Sequence, residues 1–173
     1  MNTRHVLSIL VENRFGELAR IVGLFSGRGF NIDSLAVNVT LDPKFSRVVL
    51  VTRGSDAIIE QIIKQLHKLI RVRKVHHMTD DKHLERELCV ATVLASTQKA
   101  REDLERVVRL CGARIIAYSA SSFTVEVTAA SKEVDDFLDL IRPLGIKEMV
   151  RSAPIAFSRP GQEKGDEGAE SAA

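Results

Sequence analysis

One turn carries the residues best suited to ligand chemistry, Glu12-Asn13-Arg14-Phe15-Gly16-Glu17-Leu18. It follows a short β-rich stretch and opens an amphipathic helix. A helix start presents backbone N–H groups with no intrahelical partner, at the positive end of the macrodipole. That makes it a ready site for a carboxylate. Asn13 brings a side chain that can bond backbone or ligand, and Gly16 lets backbone approach closely. Asn31-Ile32 opens the next strand and is expected to come back beside the turn. Two Asn side chains, free helix N–H groups and small apolar residues suit a free α-amino acid. A plainer alternative stands beside this one: Asn13 as a turn residue or N-cap, and Gly16 as relief of sterics.

The elements that must position these residues are legible from periodicity. His5 to Glu12 (HVLSILVE) is short and β-rich, a strand. Gly16 to Phe25 is a helix with Leu18, Ile21, Val22 and Phe25 on one side, stopped by Gly27-Arg28-Gly29. Phe30 to Thr40 alternates from Leu35 onward, as a strand with one covered face does. Asp42-Pro43 turns the chain into a third strand, Phe45 to Arg53. Ser55 is placed to cap a helix running to about Leu69, and Arg71 to Met78 is a fourth strand. The order βαββαβ predicts a four-stranded antiparallel sheet under two helices.

The order then repeats. Glu87 to Ala95 is a strand, Gln98 to Leu110 a helix ended by Gly112, and Ala113–Ser119 with Phe123–Ala129 a hairpin pair. Ser131 to Ile141 is a helix stopped before Pro143, and Gly145 to Phe157 holds a final strand. The expectation is an α+β chain of two ferredoxin-like domains, residues 1–79 and 80–158, divided in the polar stretch Thr79 to Arg86. A disordered acidic tail, residues 159–173, is expected after them, since it has no β-branched or aromatic residue beyond Gly161. Such small domains often pair sheet edges in oligomers.

Several kinds of function are disfavoured. A net charge of +2 gives no bulk pull toward nucleic acid or an anionic membrane. An RNA-recognition domain shares the βαββαβ order but stacks bases on aromatics of its third strand. Here that strand reads Arg47-Val48-Val49-Leu50-Val51-Thr52, with only Phe45 at its edge. No apolar run has the roughly 18 residues of a membrane span, and no signal-peptide cleavage site is visible. Phosphate-loop, CxxC and nucleophile-elbow patterns are absent from the sequence. His76, His77, Asp80, Asp81 and His83 cluster in sequence, but neighbouring strand residues point to opposite faces, so no metal site is expected. His5 and His67 read as lone surface histidines. Cys89 and Cys111 lie in apolar-patterned segments, as free thiols in a reducing cytoplasm would.

Glu12-Asn13-x-x-Gly16-x-Leu18-x-Arg20 followed by Gly23-Leu24-Phe25-Ser26-x-Arg28-Gly29-Phe30-Asn31-Ile32-x-Ser34-Leu35 resembles the small, regulatory subunits of acetohydroxyacid synthase (acetolactate synthase), whose N-terminal domain is of the ACT type. The likeness continues through Ser46-Arg47, Glu60-Gln61-Ile62-x-Lys64-Gln65-Leu66-x-Lys68-Leu69, Arg86-Glu87-Leu88 and Arg142-Pro143-Leu144-Gly145-Ile146-x-Glu148, nearly to Arg159. The resemblance implies a non-catalytic subunit that binds and activates a large catalytic subunit and confers feedback inhibition by valine in branched-chain amino-acid biosynthesis. It implies a homodimer through the ACT domains, with valine between two protomers. The matching positions are Asn13, Gly16, Glu17, Leu18, Asn31 and Ile32. Thiamine diphosphate, Mg²⁺ and FAD would sit on the catalytic partner and none on this chain.

The second half departs from the family at two places. Arg151-Ser152-Ala153 stands where Arg-Thr-Gly is common, and Ala117-Tyr118 where Val-Asp is common. The alternative function is a free-standing ACT-type amino-acid sensor acting on another enzyme or a transcription factor. No basic helix-turn-helix segment supports the latter. The preference among valine, leucine and isoleucine is open at this level.

Overall fold

A computed structural model of the chain describes residues 3–78 and 83–159. By contact density it divides into two units, residues 1–84 with 155–173 and residues 85–154.

In unit 1 the apolar alternation of the sequence becomes a sheet with a helical lid. The elements are β1 (Thr3–Glu12), α1 (Glu17–Gly27), β2 (Ser34–Val39), β3 (Phe45–Gly54), α2 (Asp56–Leu66) and β4 (Val72–Met78). The sheet order is β2-β3-β1-β4 with every neighbouring pair antiparallel. Leu7, Ile9 and Val11 of β1 and Val48 and Leu50 of β3 meet Ile21 and Phe25 of α1 and Ile59, Ile62 and Leu66 of α2. These are the positions that periods of 2 and 3.6 place on one face. Gly29, at φ +70°, turns the chain out of α1, and Phe30 N–H returns to the Phe25 carbonyl at 3.0 Å. That turn takes residues 30–33 out of the expected second strand, which therefore starts only at Ser34.

Unit 2 repeats the plan with β5 (His83–Leu94), α3 (Gln98–Leu110), β6 (Arg114–Tyr118), β7 (Ser122–Ala129), α4 (Ser131–Ile141), a 3-10 turn (Arg142–Leu144) and β8 (Ile146–Arg151), in sheet order β6-β7-β5-β8. Cys89, Ala91 and Val93 pack with Leu104 and Val108 of α3 and Val134, Phe137 and Ile141 of α4. Thr97 caps α3 by accepting the Ala100 N–H, and the Glu133 carboxylate takes the Ala130 N–H at the start of α4. Cys89 and Cys111 are free, and burial pushes both thiols above their ordinary pKa.

Three expectations change. The final strand is two: β8, and β9 (Ile155–Ser158), which belongs to unit 1 rather than to the second domain. Pro154, which has no N–H for a ladder, stands between them. Ala156 of β9 covers Val6, Val49, Val51 and Met78 on the face of the unit 1 sheet away from the helices. Secondly, His83 to Arg86 is strand rather than linker, with His83, Glu85 and Glu87 turned inward. The expected boundary at 79/80 and the expected tail from Pro160 lie outside the described residues. Thirdly, His5 is buried. Its Nδ1 lies 3.0 Å from His77 Nε2, and its Nε2 lies 2.8 Å from Thr3 Oγ1. No helix among the described residues is long and apolar enough to cross a membrane.

Two measurements follow from this packing. Phe137 is wholly buried, so Phe137→Ala is expected to lower the unfolding free energy by about 3–5 kcal/mol in urea titration. Burial first, then the charge of His5, hold the His77 imidazole below the ordinary histidine value of 6.5, with Asp56 opposing. A depressed folded-state pKa stabilises the fold while the ring is neutral. That contribution is complete above the unfolded pKa and is lost as pH falls from it toward the folded value. The melting temperature is expected to fall between about pH 7.5 and 5.5, and to fall less steeply in His77→Gln.

Candidate effector site

The turn between β1 and α1 is built around Gly16. Its φ of +84° lies in the left-handed region, where glycine alone is unstrained, and it forms the N-cap of α1 without any side-chain cap bond. An added Cβ there would meet nothing within 4 Å. The glycine is therefore required by backbone conformation, with open space above it. The first intrahelical bond runs from Arg20 N–H to the Gly16 carbonyl at 3.1 Å, and Glu17 N–H reaches the Arg14 carbonyl at 3.4 Å. Helix arithmetic leaves Leu18 and Ala19 N–H without intrahelical acceptors. These donors and the positive end of the helix suit a carboxylate.

Asn13 serves as a latch. Its Nδ2 donates to the Pro43 carbonyl at 3.0 Å and its backbone N–H to the Lys44 carbonyl at 2.7 Å, tying the turn to the β2–β3 connection. The plainer alternative for Asn13, a turn residue, is the role the structure gives its amide nitrogen. Its carbonyl oxygen has no part in that bond. Leu18 is partly exposed on the first turn of the helix.

Glu17 does something the spacing did not disclose. Only 3% exposed, its carboxylate takes Arg71 Nη1 at 3.0 Å and lies 3.5 Å from Arg20 Nη1. Its side chain is thus engaged in fixing α1 to the start of β4. Glu12 adds ion pairs to Arg71, at 3.9 Å, and to Arg73. Arg71 was missed because it is 54 residues away in sequence. Only its place at the opening of a strand next to β1 hinted at it.

Asn31 and Ile32 do not come back beside the turn within one chain, and here the expectation is corrected. Ser34 is level with Val51, and Val51 with Val6, whereas the turn follows Glu12, level with Phe45. Six strand residues separate the two levels, roughly 20 Å at 3.4 Å per residue. The reason is topological: α1 carries the chain back to the opposite end of the sheet before β2 begins. Asn31 is exposed, donates from Nδ2 to Asp33 Oδ1 at 2.8 Å, and accepts Thr52 Oγ1 on its backbone carbonyl at 2.6 Å. Asp33 is in turn paired with Arg53 at 2.8 Å. Ile32 packs partly against the core of unit 1. Among the described residues no group of three or more His, Cys, Asp or Glu side chains is placed to hold a metal ion.

The two-layer βαββαβ unit is a fold shared by several classes of domain, and comparison with known proteins makes this one an ACT-type module. Residues 7–74 match the family described as "AHAS small subunit-like ACT domain", and residues 86–160 match "Small subunit of acetolactate synthase". A probable acetolactate synthase small subunit of Methanothermobacter thermautotrophicus is 41% identical over 155 residues, 90% of this chain and 92% of that one. The small subunit of Escherichia coli acetolactate synthase isozyme 3 is 40% identical over 157 residues, 90% and 96% of the two chains. The crystal structure of the acetolactate synthase small subunit from Thermotoga maritima superposes with a TM-score of 0.81 at 31% identity, covering 91% of this chain and 98% of that one. The chain belongs to the acetolactate synthase small-subunit family.

Charge at the helix start can be separated from backbone strain at Gly16. Gly16→Asp is expected to abolish binding of a small carboxylate at the helix start, since its own carboxylate would compete for the helix N–H groups. Gly16→Asn, neutral and strained by the left-handed backbone to the same degree as Asp, is expected to keep that binding. Titration of both variants with small α-amino acids checks this, and unchanged binding by Gly16→Asp would place the ligand elsewhere.

Proposed function

We propose that this chain is the regulatory subunit that activates the large catalytic subunit of acetolactate synthase and makes it sensitive to valine. Family membership supports the partner. One observation carries the effector reading: α1 starts on a left-handed glycine with no side-chain cap, so its backbone donors are open to a ligand carboxylate. The rest of the amino acid is met by Leu18 and by the free carbonyl oxygen of Asn13, with Asn31 and Ile32 supplied by a second protomer. A site shared by two copies accounts for the roughly 20 Å between its halves in one chain.

The surface for such pairing is available. β2 is an edge strand, and Val37 and Val39 on its helix-side face are exposed, as are Leu18 and Val22 of α1. Unpaired apolar edges are covered in stable proteins, and a second β2 is the simplest cover. Millimolar to micromolar binding, about 4–8 kcal/mol, is within reach of valine, since small ligands gain at most about 1.5 kcal/mol per heavy atom. A coupling of roughly 1–3 kcal/mol between effector and partner suffices for feedback. Thiamine diphosphate, Mg²⁺ and FAD belong to the partner in this reading, and the chain itself is non-catalytic.

Isothermal titration of valine into the purified chain is expected to saturate at one site per protomer or per dimer interface, with no heat from lysine. Asn31→Ala is expected to weaken the binding roughly fivefold, the ~1 kcal/mol of one hydrogen bond. Unchanged affinity would remove Asn31 from the site. Absence of heat both alone and with the catalytic subunit would remove the effector reading.

A further inference from the structure

Three large apolar side chains of unit 1 stand almost wholly in solvent: Phe15 at 102% of its reference exposure, Ile70 at 91% and Leu41 at 85%. Single exposed apolar residues are ordinary. These three differ because they sit on three connections pinned together at one end of the unit. Phe15 lies in the β1–α1 turn, Leu41 in the β2–β3 turn and Ile70 between α2 and β4. Glu12 N–H donates to the Arg71 carbonyl at 3.0 Å, and Asn13 N–H to the Lys44 carbonyl at 2.7 Å. The Asn13 side chain and the Glu12–Arg71, Glu12–Arg73 and Glu17–Arg71 pairs hold the same junction.

The tips are held by ordered turns. Arg14 N–H reaches the Glu12 carbonyl at 2.8 Å, Phe45 N–H the Asp42 carbonyl at 3.0 Å, and Val72 N–H the Leu69 carbonyl at 3.0 Å. Presenting them therefore costs little further ordering when a partner binds. A fully exposed Phe alone offers on the order of 200 Å². Three such tips make an apolar centre for a patch of the standard size, about 800 Å² per partner. Exposed Arg14 and Lys44 flank the tips. Of the acidic groups nearby, Glu12 is paired with arginines, while Asp42, whose Oδ1 takes the Lys44 N–H at 3.0 Å, keeps its charge and is outnumbered by Arg14 and Lys44. The result is an apolar centre with a cationic rim.

We infer that this three-loop end, with Phe15, Leu41 and Ile70 as anchors, docks onto an acid-rimmed apolar surface of the large catalytic subunit. The inference rests on the proposed function for the identity of the partner. The rim charge decides against this end meeting its own copy, since a patch facing itself across a twofold would set Arg14 and Lys44 against their own kind, and the second protomer of the proposed site meets the turn through Asn31 and Ile32 instead. Residues 161–173 carry no apolar side chain larger than alanine to match the anchors. The arrangement also joins sensing to docking, because Phe15 immediately precedes Gly16. A carboxylate drawn onto the helix start acts on the residue next to an anchor.

The test uses the full chain with its cognate large subunit, titrated by activation of turnover and by direct binding. The triple variant F15S/L41S/I70S is expected to raise the half-activating concentration at least about tenfold. Its mass in solution and its valine titration alone should match the wild type. The double variant R14E/K44E, changed only at exposed positions, is expected to raise it at least about threefold at low salt, with the gap closing as salt screens the rim. It decides the matter alone if the triple variant does not fold. Wild-type binding by the folded triple variant overturns the inference, as does loss of dimer mass, which would assign the tips to self-association. A wild-type chain that fails to bind the large subunit at all overturns the proposed function instead, and this inference with it.

Discussion

The buried carboxylate of Glu17, held by Arg71 at 3.0 Å, is the interaction on which the β1–α1 end of unit 1 depends. A carboxylate with so little exposure is stable only with a charged partner. That partner comes from the opening of β4, so the pair fixes the first turn of α1 against the sheet. The negative charge also complements the helix dipole at its positive end. With α1 anchored by a side chain turned inward, its open N–H groups stay in place without being consumed. Gly16 in left-handed conformation completes the arrangement by carrying the chain into the helix without a cap.

The same junction organises the connections around it. Asn13 ties the β2–β3 turn to the start of α1, and Glu12 ties the start of β4 to the end of β1. Polar side chains thus do the positioning while apolar ones are left outward. The helix start is therefore set in a frame of hydrogen-bonded turns and ion pairs rather than in a loose loop. If two protomers share the proposed site, effector binding and self-association become one linked equilibrium.

Unit 2 is built by the same rules but offers no comparable helix start. α3 opens on Thr97, whose side chain caps it, and α4 uses Glu133 against the Ala130 N–H. Its inward-facing polar residues are spent on one another: Ser131 contacts Glu85 and Glu87, and Arg151 pairs with Glu87 and Asp135. Such a network, fully engaged, fixes a fold rather than binds a ligand. Among the described α-helices only α1 opens on a left-handed glycine, and that separates the two halves of a chain whose element order is otherwise repeated.

By itself the sequence determined the element order as far as β8, the two-layer α+β class and the buried faces of the helices. Ile59, Ile62 and Leu66 announce their inward face by period alone, whereas the continuous apolar runs of β1 and β3 do not show which side meets the helices; glycine and proline mark where elements stop. The turn at Asn13 to Leu18 was legible for the same reason, being local. The tertiary structure decided what depends on residues far apart in the chain. Arg71 closes on Glu17, His5 meets His77, Ala156 returns to cover Val6, and Asn31 is carried to the opposite end of the sheet from Asn13. None of these has a periodic signature, because a pairing across dozens of residues is set by strand order and register. Those are fixed by the packing of all the elements together, and no single stretch of sequence contains them.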